Sequence, residues 1–481
     1  MFNNNRNYKY QFFRLLCNCT FGKTKSYLYA KKMQYKSHSK KSNDFSYDKH
    51  RSLGCHERLD ISYTNNIIGI SVIQSLNKIK EIELKKKIKE GKKVRVCILI
   101  DNISKLSNLS VYKNLLENDL FEPFILIAHE QKYGNPNLKK EWNDTYQTYL
   151  EFKKKNYNVY FAYDEQYNVI PIEKYKPDIV FTSAAYLDAT HSGFTSLKLN
   201  IDYLVCYVNY ALNTINYYAY HYNNRRISSC WKHFVETVED YNELTLYSSH
   251  MGINAVLTGY PKFDSFCKPI EQCKIPKKID NGKPIVIYAP HWTVHNRDDN
   301  TDLSTFREYY KFFISLVKNT PQINFVFKPH PTLLWELTTY GIMTENEYND
   351  YIKTWDSLQN GIVITSGDYM DLFRMSDLMI TDSGSFIGEW LPTDKPCMYL
   401  IKPTKDSMPF MDRYSLLGRK ILEKYYLCHK QADIEKYFKM IMFDKLDPKK
   451  DERIKLKDEL FINIGCAGQK IVDYLTQVLT D

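Results

Sequence analysis

Four segments of the sequence place chemically active side chains directly after a short apolar run. They are LTGYPKFD (257–264), IVIYAPHWT (285–293), FVFKPHP (325–331) and LMITDSGS (378–385). Buried parallel strands have this apolar pattern, and in an open parallel sheet they end at one edge, where ligands bind. Lys, His, Asp and Ser side chains there can hold phosphate or move a proton. The pattern therefore predicts a site for a phosphorylated ligand at that edge.

The last of these segments shows the pattern most fully. An apolar run (378–381) leads into Asp382, Ser383, Gly384 and Ser385, and a helical stretch follows. Such a turn directs unpaired backbone N–H groups and the positive end of a helix dipole towards a ligand, which favours an anion. The turn is interpreted as a phosphate cradle, although helix capping by Ser383 or Ser385 explains the same residues equally well.

Apolar runs alternate with helical stretches, which predicts an α/β fold with two Rossmann-like domains. A stretch with three prolines and a glycine separates the two blocks, as a linker would. The predicted parts are a basic N-terminal extension with a helix (1–90), a first domain (91–268), a second domain (283–447) and a C-terminal helix (448–481). The predicted strands are 94–100, 121–130, 158–164, 178–184, 203–210, 254–260, 285–289, 324–328, 361–365, 377–381 and 397–401.

The composition is that of a cytoplasmic globular protein. With 481 residues, of which 43% are hydrophobic, the chain can form two domains of ordinary size. The 11 cysteines are scattered, without a CxxC pair, which fits a reducing compartment. No apolar run is long enough to span a bilayer, so a soluble or peripheral protein is predicted. GxGxxG and GxxxxGK[ST] motifs are absent, which argues against a plain dinucleotide or P-loop enzyme.

Positive charge is concentrated at the N-terminus. Residues 1–60 contain thirteen Lys and Arg against four Asp and Glu, so they carry nine of the ten net positive charges. Within them, YKYQFFRLLCNCTF (8–21) suits a short interfacial helix on the anionic inner face of the cell membrane. A disordered basic leader explains the charge equally well. Nucleic-acid binding is disfavoured, because no nucleic-acid-binding motif accompanies the charge.

The order and spacing of the motifs resemble one protein family. GYP-x-x-D, YAP-x-W, KPHP and ITD-x-x-S, followed by KP, occur in this order between residues 259 and 399. They are similar to the C-terminal half of the CDP-glycerol glycerophosphotransferases, which build teichoic acids and related capsular polymers. The resemblance implies a two-domain glycosyltransferase-B architecture, a CDP-activated polyol phosphate donor, and neither a cofactor nor an obligatory metal.

The resemblance assigns roles to the first group of side chains. His330 corresponds to the family's catalytic or phosphate-binding His, and Lys328 adds a positive charge beside it. A neutral imidazole can act as a base near pH 7, and its protonated form can bind a phosphate oxygen. The family usually has an Arg at the position of Thr293, so His291 is expected to supply the missing contact. His291 is therefore the second catalytic candidate, and Thr293 a donor-binding candidate.

The turn after the fourth run supplies the remaining donor-binding candidates. Ser385 aligns with the second serine of the family's ITD-x-S-S turn, whereas Gly384 replaces the first and Ser383 offers a hydroxyl one position earlier. Asp382 is expected to cap the turn or orient its neighbours, because a bare carboxylate would repel a diphosphate. Glu389 either accepts hydrogen bonds from a polyol or ribose hydroxyl, or faces solvent as an ordinary helix residue.

The acceptor side departs most from the family. Its TWHGTP-like motif, whose His is the proposed acceptor base, is absent, and CYVNYALNTIN (206–216) resembles the counterpart in a divergent branch. Tyr207 and Tyr210 then stand where the His would be, and Tyr260 and Asp264 are expected beside the cleft. The acceptor base stays open, with three alternative histidines, which are more often structural than catalytic: His191, His221 and His233.

The sequence therefore favours a transferase that moves glycerol phosphate, or a related polyol phosphate, from a CDP donor to a cell-surface polysaccharide or teichoic-acid-like acceptor and releases CMP. The acceptor is expected to be a polymer or a lipid-linked molecule. The alternatives are a nucleotide-sugar glycosyltransferase of the same fold and a non-catalytic glycan- or lipid-binding relative. The sequence does not identify the polyol or the acceptor. It also does not distinguish a primase from a polymerase, or define an oligomeric state.

Overall fold

The computed structural model describes residues 69–100, 107–128, 138–166, 168–183, 194, 196–296, 301–365, 369–403 and 410–481. The basic segment 8–21, with its predicted interfacial helix, lies outside the described residues. The chain divides into two compact units. Unit 1 contains the chain up to Tyr210, then Tyr218–Pro261 and Ala467–Asp481; unit 2 contains Ala211–Tyr217 and Lys262–Cys466.

Within its described residues, unit 1 contains a parallel sheet of seven strands in the order β3-β2-β1-β4-β5-β6-β7. In the centre of the sheet, Val94 pairs with Phe121 of the strand on one side, and Val96 pairs with Ile179 of the strand on the other side. The strands are almost wholly apolar because helices cover both faces of the sheet. Their bounds are β1 Val94–Ile100, β2 Phe121–Ile127, β3 Val159–Phe161, β4 Ile179–Thr182, β5 Leu204–Val208, β6 Lys232–Val235 and β7 Ala255–Leu257.

Helices follow most of the strands of unit 1. The C-terminal helix, Ala467–Thr480, also belongs to this unit and places Ile471, Leu475 and Leu479 in its core. The N-terminus of the helix Val238–Tyr247 is capped by Thr237, whose hydroxyl accepts from the N–H of Asp240. The other helices are α1 (69–89), α2 Leu109–Leu116, α3 Leu138–Lys154, α4 Ser196–Asp202, α5 Tyr218–Tyr222, α6 Arg225–Ser229 and α7 Val238–Tyr247.

Unit 2 contains a second parallel sheet, in which the described residues form six strands in the order β10-β9-β8-β11-β12-β13. In the centre, Leu378 pairs with Val286, and on the other side Ile285 pairs with Asn324. Three strands that are adjacent in the sheet therefore come from separate parts of the sequence. The bounds are β8 Ile285–Ala289, β9 Asn324–Phe327, β10 Gly361–Val363, β11 Leu378–Thr381, β12 Cys397–Leu400 and β13 Tyr426–Cys428.

The helices of unit 2 pack an aromatic-rich core against this sheet. Phe313, Phe327 and Trp355 are fully buried in it. Helix α10 begins with a capping box between Thr344 and Glu347. The helices are α8 Phe306–Asn319, α9 Leu333–Thr339, α10 Glu345–Ser357, α11 Met370–Met375, α12 Gly384–Trp390, α13 Leu416–Glu423, α14 Gln431–Phe438 and α15 Lys450–Leu460.

The predicted α/β fold with two Rossmann-like sheets is confirmed. Strands β6 and β13 were not expected, because each is short and lies close to a helical stretch. The segment 448–481, expected as one helix, contains α15 in unit 2 and the C-terminal helix in unit 1. The predicted domain boundaries stay predictions. Among the described residues, no helix has the length and apolarity that a membrane crossing requires.

Candidate functional site

Three neighbouring strands of unit 2 end in the predicted chemical groups. Lys328 and His330 follow β9, His291 and Thr293 follow β8, and Asp382 follows β11. The sheet order places β9, β8 and β11 side by side and parallel, so their carboxyl ends share one edge. The expected convergence at one edge is therefore present for these three motifs. The segment 257–264 follows β7 of the other sheet, so the expectation that all four segments end at one edge is wrong.

Asp382 fixes the loop after β8. Its Oδ1 accepts from the backbone N–H of His291 at 2.5 Å, and its Oδ2 accepts from the hydroxyl of Thr305 at 2.8 Å and from the N–H of the same residue. The side chain is fully buried, and burial raises the pKa of the Asp382 carboxyl to about 6, against the effect of these donors. These internal partners fit the expected orienting role of Asp382.

The hydroxyl of Thr293 sets the proton position on His291. Thr293 Oγ1 lies 2.6 Å from the carbonyl oxygen of Thr301 and 2.8 Å from His291 Nδ1. A carbonyl oxygen only accepts, so the single hydroxyl hydrogen is donated to Thr301, and Nδ1 of His291 donates to Thr293. The backbone N–H of Thr293 also lies 3.4 Å from Nδ1, but this contact is longer and weaker than the hydroxyl contact. The shorter contact therefore places the proton of neutral His291 on Nδ1 and the lone pair on Nε2. Thr293 is fully buried, so its contacts support His291.

His330 has the opposite arrangement. Its Nδ1 accepts from the backbone N–H of Thr332 at 3.1 Å, so the neutral ring carries its proton on Nε2. The ring centroids of His291 and His330 lie 6.2 Å apart, and Trp292 lies 5.5 and 6.0 Å from them. The two rings can therefore present different chemistry at one edge, with Nε2 as an acceptor on His291 and as a donor on His330.

Lys328 is a buried cation. Its side chain is 6% exposed, and its Nζ lies 4.8 Å from the ring centre of Tyr369 and 5.9 Å from that of Phe386. Among the described residues, no carboxylate or other acceptor lies within hydrogen-bonding distance of this Nζ. Burial, and then repulsion from Lys262, lower the pKa of Lys328 to about 8, against the attraction of Glu389. An anion would supply the missing partner.

Glu389 is not an ordinary solvent-facing residue. It is 1% exposed, and its Oε1 accepts from Lys262 Nζ at 2.8 Å. Its Oε2 accepts from the hydroxyl of Tyr369 at 2.6 Å. The alternative of a solvent-facing helix residue is therefore wrong, and the position of Glu389 in a buried ion pair was not foreseen.

Gly384 has a packing role that explains why no serine stands there. A Cβ on Gly384 would lie 2.5 Å from Cδ1 and 2.9 Å from Cγ1 of Ile215. The Gly384 carbonyl also accepts from the hydroxyl of Thr214 at 2.6 Å. The segment Ala211–Tyr217 therefore packs directly on the start of α12. Ser383 and Ser385 flank this glycine, and their Oγ atoms are 3.3 Å apart.

The predicted tyrosines of unit 1 lie at the carboxyl edge of its sheet. The hydroxyl of Tyr207 donates to Asn209 Oδ1 at 3.2 Å, and the hydroxyl of Tyr260 donates to the carbonyl of Tyr210 at 2.6 Å. Tyr207 and Tyr260 are both 1% exposed, so their contacts are those of structural residues. Asp264 lies in unit 2, half-buried in the 3-10 helix Pro261–Cys267.

Two of the alternative histidines lie in unit 1, where His233 is buried and His221 is half-buried. Burial lowers the pKa of His221 to about 4, and burial, with repulsion from His250, lowers that of His233 to about 3. Both rings are therefore neutral near pH 7. His191 lies outside the described residues. The choice of an acceptor base stays open.

Three residues at these edges were not among the predicted site residues. Lys262 and Tyr369 of unit 2 meet Glu389, and Glu236 of unit 1 accepts from the N–H of Asn209 at 2.8 Å. Glu236 directly follows β6, so recognition of that strand would have revealed it. Tyr369 precedes a helix and carries no signal in the sequence. No group of three or more His, Cys, Asp or Glu side chains in the described parts of the chain is placed to hold a metal.

The fold is that of an α/β protein with two Rossmann-like units. The carboxyl edge of the sheet in unit 2 has a group of cationic and hydrogen-bonding side chains suited to an anion. Residues 210–406 match the model of the CDP-Glycerol:Poly(glycerophosphate) glycerophosphotransferase family. The resemblance stated from the motifs is thereby confirmed for this part of the chain, and it supports a transferase of the glycerophosphotransferase type. No curated protein matches the chain in sequence.

Solved structures of the same fold include two of a variant of the wall teichoic acid polymerase TagF. One has a TM-score of 0.51 at 12% identity, and the other, soaked with CDPG, has a TM-score of 0.50 at 13% identity. Both cover 88% of this chain and 97% of the other. A UDP-N-acetylglucosamine 2-epimerase has a TM-score of 0.50 at 14% identity and covers 80% of this chain and 95% of its own. These similarities establish the fold.

Proposed function

We propose that this protein transfers glycerol phosphate, or a related polyol phosphate, from a CDP-activated donor to a surface polysaccharide or teichoic-acid-like acceptor. An acceptor hydroxyl oxygen forms a bond to the β-phosphorus of the donor, the bond from that phosphorus to CMP breaks, and the hydroxyl proton passes to a base. The family match over residues 210–406 supports this reaction class. The TagF structure soaked with CDPG has the same fold.

The observation that carries the proposal is the buried Lys328 ammonium without an acceptor. Burial of a charge is unfavourable unless a partner compensates it. A diphosphate oxygen would supply that partner, and it would also stabilise the protonated lysine. Lys328 therefore binds the donor diphosphate, together with the hydroxyls of Ser383 and Ser385.

The two histidines divide the remaining work. His330 donates from Nε2 to a phosphoryl oxygen, where negative charge increases as CMP leaves. His291 has its lone pair on Nε2 and is the candidate proton acceptor at this edge. Thr293 and Asp382 are positioning residues, because their contacts hold the ring and the backbone of His291.

The first test is calorimetric titration of the purified protein with CDP-glycerol, CDP-ribitol and UDP-sugars. We expect selective binding of a CDP-polyol, weakened in Ser385→Ala but not in Ser315→Ala, a change at an exposed serine of α8. A preference for a UDP-sugar would transfer the protein to the nucleotide-sugar glycosyltransferases. Absence of binding to every donor would favour a non-catalytic relative.

Binding should also depend on pH in one direction. Lys328 loses its proton as the pH rises through about 8, so the affinity for the donor should fall above that pH. The same titration at pH 7 and pH 9 measures this effect. An affinity that stays constant or rises over this range would show that the Lys328 charge does not contribute to binding.

A further inference from the structure

Tyr369 lies between two ammonium groups of unit 2. Lys262 Nζ is 4.6 Å and Lys328 Nζ is 4.8 Å from the centre of its ring. The Lys328 distance is typical of a cation–π contact, in which the ring's negative face attracts the cation. Lys262 Nζ is also 2.5 Å from the Tyr369 hydroxyl, which places it towards the edge of the ring. One aromatic side chain therefore contacts two cations at once.

The hydroxyl of Tyr369 fixes the ring in turn. It accepts from Lys262 Nζ at 2.5 Å and donates to Glu389 Oε2 at 2.6 Å. Glu389 Oε1 completes the triangle by accepting from Lys262 Nζ at 2.8 Å. The ring orientation is consequently set by an ion pair in which Glu389 is almost wholly buried.

The charges in this cluster do not cancel. Lys262 and Lys328 contribute two positive charges when protonated, and Glu389 contributes one negative charge. The carboxylate binds Lys262, so the uncompensated positive charge is that of Lys328. A single buried positive charge is a suitable partner for one phosphoryl oxygen.

We propose that Tyr369 is a positioning residue whose ring holds the Lys328 ammonium where the donor diphosphate binds. This inference rests on the function proposed above. The side chain of Lys328 has a flexible four-carbon stem, and no hydrogen-bond acceptor among the described residues fixes its Nζ. The Lys328 Nζ lies over the rings of Tyr369 and Phe386, and the Tyr369 ring is the nearer. The ion pair of Lys262 and Glu389 acts on Lys328 through Tyr369.

The test compares Tyr369→Leu, which removes the ring, with Tyr369→Phe, which keeps the ring and removes the hydroxyl. Tyr348→Phe, at a buried tyrosine on α10, is the matched control. We expect the dissociation constant of CDP-glycerol to rise about tenfold in Tyr369→Leu and at most about threefold in Tyr369→Phe. Unchanged affinity in Tyr369→Leu, or equal losses in both variants, would overturn the proposal.

A second readout does not need the donor. Lys328 can be modified with a trace amount of an amine-reactive reagent, and mass spectrometry measures the extent of modification. The pH dependence of this modification reports the pKa of Lys328. We expect this pKa to fall in Tyr369→Leu, because the attraction between the ring and the ammonium is lost while the site stays apolar, and to change less in Tyr369→Phe. An unchanged pKa in Tyr369→Leu would contradict the positioning role. If wild type binds no CDP-glycerol while the pKa shifts as expected, the proposed function fails and the inference on Lys328 stands.

Discussion

The two sheets have the same kind of strand order, but the groups at their carboxyl edges differ, with cationic side chains in unit 2 and buried carboxyl groups in unit 1. The edge of unit 2 has Lys328, Lys262 and two imidazoles. The edge of unit 1 has the buried carboxyl groups of Glu236 and Asp240. The first arrangement attracts a phosphorylated ligand, and the acidic groups of the second do not. The difference shows that the charge of the ligand that an edge can bind is determined by the residues near the strand ends, and not by the fold.

The edge of unit 1 keeps its acidic groups away from solvent. The hydroxyl of Tyr222 donates to Asp240 Oδ1 at 2.6 Å, and that of Thr237 donates to Oδ2 at 2.7 Å. Burial, and then repulsion from Asp240, raise the pKa of Glu236 to about 8. Glu236 is therefore mainly neutral near pH 7. An edge of this kind is compatible with an uncharged hydroxyl-bearing group and is unsuited to a diphosphate.

The largest expected effect is on the chemical step. His330→Ala removes the Nε2–H donor while leaving Lys328 in place, so kcat should fall by about 10²–10³ with little change in donor affinity. Transfer of labelled glycerol phosphate and calorimetric titration measure the two quantities separately. His429→Ala, at an exposed histidine of the same unit, is the control. Normal polymer synthesis by His330→Ala would refute the catalytic role of His330.

The next effect concerns the charge that distinguishes the two edges. Lys328→Met keeps an unbranched apolar stem in the pocket and removes the ammonium, so the dissociation constant of the donor should rise about 100-fold, or ~3 kcal/mol. Lys353→Met changes a lysine whose side chain is 78% exposed, and it should bind as wild type does. Normal binding of CDP-glycerol by Lys328→Met would show that the positive charge at the edge of unit 2 does not contribute to the affinity for the donor.

The sequence predicted the parts of both edges that are local. Strands such as β1 have continuous apolar runs, and His330, His291 and Asp382 directly follow strands, so parallel topology brings them together. Tyr369 and Lys262 meet Glu389 through contacts between residues 107, 127 and 20 positions apart. No local pattern encodes such contacts. The short strand β6 was missed for a related reason, because its four residues are stabilised by neighbouring strands.

A substitution at Gly384 tests why unit 2 departs from the family's serine pair. Gly384→Ser would place a Cβ 2.5 Å from Ile215 Cδ1, and the resulting overpacking should destabilise the protein by ~1–3 kcal/mol. Differential scanning calorimetry should record a lower Tm. In the double variant with Ile215→Ala, the side-chain atoms that the new Cβ would meet are removed. Its Tm should therefore be higher than the value expected from adding the losses of the two single variants. Strict additivity of the two losses would show that the contact with Ile215 does not exclude a serine.

The last expected effect tests the edge of unit 1. The pKa of Glu236 is raised from 4.5 to about 8, so between these values the folded protein retains a proton that the unfolded chain has released. Its free energy of unfolding therefore falls as the pH rises through this window. Glu236→Gln removes this titration and retains an oxygen that can accept from Asn209. Relative to wild type, the variant should gain about 3 kcal/mol between pH 5 and pH 8.

Amide hydrogen exchange of β5 and β6, corrected for the intrinsic rate at each pH, measures this change within unit 1. Glu151→Gln, at an exposed position of α3, should follow the wild-type pH dependence. If the curves of wild type and Glu236→Gln stay parallel from pH 5 to pH 8, Glu236 is ionised at neutral pH. Both edges would then present ionised groups, of opposite sign, and the neutral character inferred for the edge of unit 1 would be lost.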